Sequence, residues 1–312
     1  MSDALGRPDG VRPILKWAGG KRQLLPALRP FYPSDFHRYL EPFLGSGAVF
    51  LDLWNLGLVR GRQALLSDVN ADIIGCYRMV RDRVEEVIES LIALEAGHRE
   101  RGRDHFYEVR DGRFNPARQG LTKEGGGYTP ELAAMLIYLN RTGYNGLFRL
   151  NSRGSFNVPA GRYPSVRICD AANLRRLAAA FGAPGVALAV RSFDEALDGA
   201  GEGDFVYLDP PYAPLSATAS FTAYTAGGFG QELQVRLQQR VLGLAERGAR
   251  ILLSNSVAPE VRDLYDTRLA RQAGFRARTV AARRPINSRA AGRGAVQEYL
   301  ISNVRPPARP AR

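Results

Sequence analysis

Strand-like and helix-like patterns alternate at the two ends of this chain and cease to alternate in its middle, which limits the fold more than any other feature. Apolar runs over 38–43, 63–67, 186–191, 204–208, 250–254, 275–282 and 295–301 read as strands. Among them, 48–55 is an apolar helical segment, and 231–247 stacks Leu233, Leu237, Val241 and Leu244 before Gly248 stops it. Strands separated by helices predict an α/β fold with a doubly wound, Rossmann-like sheet. Between 75 and 168 the pattern changes. There 81–96 reads as a helix with Val84, Val87, Ile88, Leu91 and Ile92 on one face and Gly97 as its stop. Thr129-Pro130 is an N-cap followed by proline at the first helical position and opens a helix over 131–140. The next 28 or so residues have no period and are rich in Gly, Asn, Arg and aromatics. The expectation is one discontinuous α/β domain, 1–74 and 169–304, with a mainly helical module inserted at 75–168 and a loose Pro- and Arg-rich tail at 305–312.

Composition excludes several classes. With 45% hydrophobic residues in 312, the chain can bury a sizeable core, so wholesale disorder is excluded. No apolar run approaches the ~20 residues that span a bilayer, and none resembles a signal-peptide core. Cys76 and Cys169 are far apart without a CxxC pattern, and His37, His98 and His105 are scattered without ligand spacing, so neither a disulfide framework nor a metal site is expected. The reading is a soluble, reduced, cytoplasmic protein. A net charge of +12 and a pI near 10.1 point to a polyanionic partner. Only three of the 43 basic residues are lysine, and two of them fall within Lys16-Trp17-Ala18-Gly19-Gly20-Lys21. Lysine is a compact point charge and arginine a planar fork, so these two positions call for the ammonium shape.

Three constellations can carry chemistry. The first is Glu41-Pro42-Phe43-Leu44-Gly45-Ser46-Gly47, a strand running into a Gly-x-Gly turn that lets backbone approach a nucleotide-like ligand. Asp68 ends the next strand, where a carboxylate can accept both ribose hydroxyls of a nucleoside. Each alone also fits a purely structural turn or cap; the pair favours a nucleoside site. The second is Asp209-Pro210-Pro211-Tyr212 after an apolar strand. Two prolines fix the turn and remove two backbone donors. A carboxylate, the Pro210 carbonyl and an aromatic face then converge, suited to accepting both hydrogens of an exocyclic amine while its ring stacks on Tyr212. The third is 141–167, with five arginines, no acidic residue, and Tyr144, Phe148, Phe156 and Tyr163 interleaved. It suits phosphate contact, base-edge readout and intercalation, although a solvated basic loop has the same composition.

With these motifs in this order, the sequence resembles the Dam-type family of DNA adenine N6-methyltransferases from about Ile14 to Asn303. Ser67-Asp68-Val69-Asn70, 140–145, 156–159, 161–163 and 213–224 extend the match. The resemblance implies an S-adenosyl-L-methionine cofactor and a double-stranded DNA substrate, with GATC as target. It implies cofactor contacts for Trp17, Lys21, Phe43, Gly45, Gly47, Asp68, Asp194 and Asp209, and catalytic roles for Asp209, Pro210 and Tyr212. Tyr144 would wedge into the duplex, Asn145 would face the base left unpaired, Leu147 and Pro159 would contact a thymine methyl, Arg149 would reach a guanine edge, and Lys16 and Tyr163 would read the outer guanine pair. A monomer is expected. The family admits a companion restriction endonuclease as well as solitary action in repair and replication timing. Two stretches depart from the pattern: the Arg- and Gly-rich 97–127 does not align with it, and 283–293 keeps its basic end but varies in detail, reading as a phosphate-contacting loop or a plain basic hairpin. A cytosine-N4 methyltransferase, or a DNA-binding protein that has lost catalysis, are the competing readings; Asp rather than Ser at 209 favours adenine.

Overall fold

The computed structural model describes residues 10–17, 19–121, 127–163, 165–213, 229–283 and 295–306. The N-terminal arm, the end of the tail, the loop 214–224 and all but the first residue of the basic loop 283–293 lie outside them. The strands are β1 Arg38–Glu41, β2 Gln63–Asp68, β3 Val186–Val190, β4 Phe205–Leu208, β5 Arg250–Ser256, β6 Arg276–Arg283 and β7 Ala295–Ser302. They form one sheet in the order β3-β2-β1-β4-β5-β7-β6. β1 pairs in parallel with β2 and β4, and β4 with β5, whereas β7 runs antiparallel to β5 and β6. This is a mixed α/β sheet of the doubly wound, Rossmann-like type. The first strand is shorter than its pattern predicts because Pro42 supplies no ladder donor.

The chain divides into two compact units, 1–20 with 45–61 and 70–190, and 21–44 with 62–69 and 191–312. The second unit carries every strand except β3. Its core joins Leu40, Val206, Leu208, Ile251 and Leu253 of the strands to Leu237, Val241 and Leu244 of the helix Gln231–Glu246. Those three positions belong to the face on which Leu233, Leu237, Val241 and Leu244 stack, with Leu233 packed against the core at its margin. Because β1, β2, β4 and β5 are parallel, their carboxyl ends share one edge, where a doubly wound sheet holds its ligands.

The first unit is largely helical: Ala48–Asn55, Ala71–Asp82, Val84–Tyr107, Pro130–Thr142 and Ala171–Phe181, with a π-helical turn Glu108–Phe114. The Thr129 hydroxyl accepts from the Leu132 N–H, so the predicted cap forms. The predicted helix 81–96 is corrected at both ends. Arg83, at φ −138° and ψ 42°, separates two helices, and the second runs past Gly97 to Tyr107 with a kink at Gly102. Gly97 is glycine for a different reason: a Cβ there would lie 2.6 Å from the His105 ring. It marks close packing rather than a helix stop. No described helix is long and apolar enough to cross a membrane.

Candidate active site

In the second unit, the motif turn places Asp209 directly after the fully buried β4. Lys21 Nζ lies 2.8 Å from Asp209 Oδ1, with only 3% of the lysine side chain and 21% of the aspartate side chain exposed. The Ser254 hydroxyl of β5 donates to the same Oδ1 at 3.1 Å, and the Tyr207 hydroxyl lies 3.0 Å from Ser254 Oγ. If Ser254 gives its one proton to Asp209, Tyr207 must donate to Ser254, so the chain of bonds has one direction. Among the described residues Oδ2 has no such partner. The carboxylate is therefore held by one oxygen and presents the other. Burial pushes the Asp209 carboxyl above its ordinary range, the Lys21 ammonium draws it down through charge and hydrogen bond, Glu298 pushes it up, and the Ser254 bond draws it down.

Tyr212 follows two residues after the first proline. The Lys21 ammonium sits over its ring, 4.7 Å from the centroid, and its hydroxyl donates to Glu298 of β7. Burial, then the neighbouring Asp209 and Glu298 charges, hold that phenol well above its ordinary range, so it remains a donor. Glu298 reaches this edge because β7 pairs antiparallel to β5, opposite Ser256. The turn itself is gripped from below. Gln234 donates to the Pro211 carbonyl at 3.0 Å, Asn255 holds Gln234 at 3.1 Å, and the Ser256 hydroxyl donates to the Ala213 carbonyl at 2.8 Å.

Three more predicted cofactor residues belong to this unit. Asp68 is the last, half-buried residue of β2, and its carbonyl accepts from the Arg191 N–H. Phe43 stacks on Phe193 at 5.7 Å and meets Phe229 edge-on at 5.7 Å, which builds an aromatic group suited to a purine. Asp194 is not the helix cap; Ser192 and Glu195 form a capping box, while the Asp194 carboxylate pairs with Arg236 at 3.0 Å and Arg240 at 3.6 Å.

The first unit holds the others. Gly45 has φ +48°, and a Cβ there would come within 2.9 Å of the Trp17 indole, so glycine is required by both backbone and packing. Tyr77 donates to the Gly45 carbonyl at 2.9 Å. Gly47, at φ +67°, leads into the helix Ala48–Asn55. A side chain at Gly45 would collide with the Trp17 indole, so the turn and the indole pack closely on one another.

The predicted DNA-reading residues also fall together in this unit. Asn140 accepts from the Lys16 N–H at 2.7 Å and donates to the Lys16 and Gly146 carbonyls at 2.8 and 2.9 Å, tying the lysine motif to the loop. Lys16 Nζ stands 4.4 Å from the Tyr163 ring centroid and donates to the Arg141 carbonyl; burial, then the Arg141 charge, draw its pKa down. Tyr144 is exposed, and its N–H donates to the Pro159 carbonyl at 2.8 Å. Asn145 has φ 54°, the one positive value among the described non-glycine residues, at the position expected to face a base. Leu147 follows on the same turn. Arg149 is exposed, its Nε donates to Asn157 Oδ1 at 2.8 Å, and its two terminal nitrogens have no hydrogen-bond partner among the described residues.

Sequence reading missed Ser254, Glu298, Tyr207 and Asn157. Asn157 lies inside a recognised motif, but the others reach the turn from distant strands, and only the sheet order could have announced them.

A family model for D12 class N6 adenine-specific DNA methyltransferases matches residues 17–284. Type II methyltransferase M1.LlaDCHI of Lactococcus lactis subsp. cremoris is 34% identical, covering 94% of this chain and 95% of the relative. Type II methyltransferase M.MjaIII of Methanocaldococcus jannaschii is 35% identical, covering 94% and 99%. The DNA adenine methylase of Escherichia coli K12 is 36% identical, covering 93% and 94%. With the catalytic-type turn at the sheet edge and this match along most of its length, the chain belongs to the D12 class of N6 adenine-specific DNA methyltransferases.

Proposed function

We propose that the protein transfers a methyl group from S-adenosyl-L-methionine to N6 of adenine within GATC in double-stranded DNA, on a base turned out of the duplex. The observation that carries this reading is the division of the Asp209 carboxylate: Lys21 and Ser254 occupy Oδ1, and Oδ2 is left to accept an amine hydrogen. The adenine amine is a poor nucleophile because its lone pair is delocalised into the ring. Hydrogen bonds from both N6 hydrogens, to Asp209 Oδ2 and the Pro210 carbonyl, localise that pair on nitrogen. Tyr212 stacks on the base, and Glu298 holds its ring in place through the hydroxyl. When bound, S-adenosyl-L-methionine supplies an electrophilic sulfonium methyl, so no covalent enzyme intermediate is needed. N6 is out of reach inside a duplex, which requires the base to leave the stack.

In this reading Asp68 takes the ribose hydroxyls, Phe43 and its aromatic neighbours take the purine, and Asp194 contacts the cofactor near that purine ring. Trp17, Gly45 and Gly47 lie along the methionine part, and Lys21 serves both cofactor and Asp209. Residues 75–168, joined by Lys16, read DNA, and the rest of 1–74 with 169–304 carries catalysis. Calorimetric titration with S-adenosyl-L-methionine tests the reading: binding heat is expected, and its absence favours a protein that binds DNA without catalysis. Asp68→Ala should weaken that binding about ten- to hundredfold, the worth of a charge-assisted contact of roughly 1.5–3 kcal/mol, and leave DNA affinity in place. Unchanged cofactor affinity would make Asp68 a strand cap only.

Arg149→Ala should relax sequence choice. An arginine bidentate to guanine contributes roughly 1–3 kcal/mol of discrimination at one base pair, whereas a phosphate contact weakens all sequences alike. Arg153 and Arg162 are the phosphate candidates. Methylation rates on GATC and on duplexes altered at the terminal cytosine-guanine pair decide it; a common drop with the preference preserved contradicts the assignment.

A further inference from the structure

The stretch 97–127 received no role from the sequence, yet its helical part grips the DNA-reading loop by the main chain. Asn115 makes both bonds that a strand neighbour would make: its amide donates to the Phe156 carbonyl at 3.0 Å, and its oxygen accepts from the Phe156 N–H at 2.8 Å. Two residues later along the loop, the Val158 carbonyl accepts from Arg110 Nη1 at 3.0 Å. Two residues earlier, the Gly154 carbonyl accepts from Arg118. Arg118 is itself locked by a bidentate pair to Asp72, at 2.8 and 2.7 Å, with 12% and 7% of the two side chains exposed. Phe114, in the π-helical turn between them, meets Phe156 edge-on at 5.8 Å, and Phe156 packs on Phe148 at 5.7 Å. The brace thus contacts alternate residues of the loop, through polar bonds on its backbone and an aromatic contact behind it.

What the brace fixes is the register of a short antiparallel pairing. Leu150 and Phe156 form its bridge, and the Asn157 N–H donates to the Arg149 carbonyl at 3.1 Å. That register puts the Asn157 side chain where it accepts from Arg149 Nε, which aims the guanidinium fork. A one-residue slip would turn Asn157 to the other face and release it.

We propose that Arg110, Asn115 and Arg118 are specificity-positioning residues: they hold the hairpin in the one register in which Asn157 points Arg149 at a base edge. They touch no base and act through main chain and Asn157. The proposal rests on the reading above only in taking this hairpin as a DNA reader; it does not depend on GATC. The test therefore begins by finding, in a pool of duplexes randomised around one adenine, the sequence the wild type methylates fastest. The ratio of that rate to the rate on its best single-base variant is then measured for Asn115→Ala, Asn157→Ala, the double variant and Arg110→Gln, with S-adenosyl-L-methionine affinity alongside. The ratio should fall about fivefold or more in each. The double variant should be no worse than the poorer single variant, because both act on one path. Cofactor affinity should not move. If Asn115→Ala does not fold, Arg110→Gln carries the test; it removes the bond to the Val158 carbonyl along with the Arg110 contacts to Asp111 and Tyr107. A wild-type ratio in any folded single variant overturns the proposal, even where the overall rate drops. A wild type that prefers another sequence, with the ratios still falling, would sink GATC and leave the brace standing.

Discussion

Asp209→Ala will lower the rate of methyl transfer by about 10²–10³-fold, the scale of losing one preorganised polar contact to developing charge in a dry site. The loss follows from the position of Oδ2: no other carboxylate lies in the motif turn to accept the amine hydrogen. The same substitution takes the paired carboxylate away from the Lys21 ammonium, whose side chain is 3% exposed. Breaking a buried pair costs about 3–5 kcal/mol, so a lowered melting temperature is expected too. Asp209→Asn separates the effects. It keeps a carbonyl acceptor but loses the charge that holds Lys21. Single-turnover rates on folded protein, with cofactor occupancy checked, are the measurement. An alanine variant retaining more than about a tenth of the wild-type rate contradicts the assignment.

Lys21→Met will cut activity most at low pH. In the wild type, burial and Glu298 push the Asp209 carboxyl up, while Lys21 and Ser254 draw it down. Tyr207 and Tyr212, which also face it, stay protonated, since burial foremost raises both phenols well above their ordinary range. Removing the ammonium deletes the largest force favouring the charged carboxylate, so its pKa rises further. Catalysis needs the ionised form as acceptor; the acid limb of the rate–pH profile must therefore move to higher pH, and part of the activity must return as pH rises. A shift of one unit corresponds to about 1.4 kcal/mol of lost preference for the charged form. A profile that drops uniformly, with its acid limb unmoved, would assign Lys21 to cofactor binding alone.

The fold was legible because its signals are local. Each apolar run and the caps at Thr129 and Gly248 depend on a few neighbouring residues, and the strands and the long helix before β5 formed where these pointed. Gly97 misled because a glycine that stops a helix and one that admits a ring look alike in sequence; His105, eight residues on, settles which it is. The motif residues of the site were legible through chemistry that is contiguous: Asp209 to Tyr212 is one turn. Their supports were not. Ser254 and Glu298 reach Asp209 and Tyr212 only through the order β4-β5-β7, which no local pattern encodes. Arg110 and Asn115 are polar residues in a helical stretch, and what distinguishes them is the main chain opposite, some 41 residues later for Asn115.

Whether the Asp209 turn methylates the exocyclic amine of adenine is decided on DNA itself. Unmethylated plasmid incubated with the protein and S-adenosyl-L-methionine, with modified bases mapped at nucleotide resolution, tests it directly. N6-methyladenine is expected, concentrated at the adenine of GATC, and it should disappear with Asp209→Ala. N4-methylcytosine, or no modification despite bound cofactor and DNA, would contradict this.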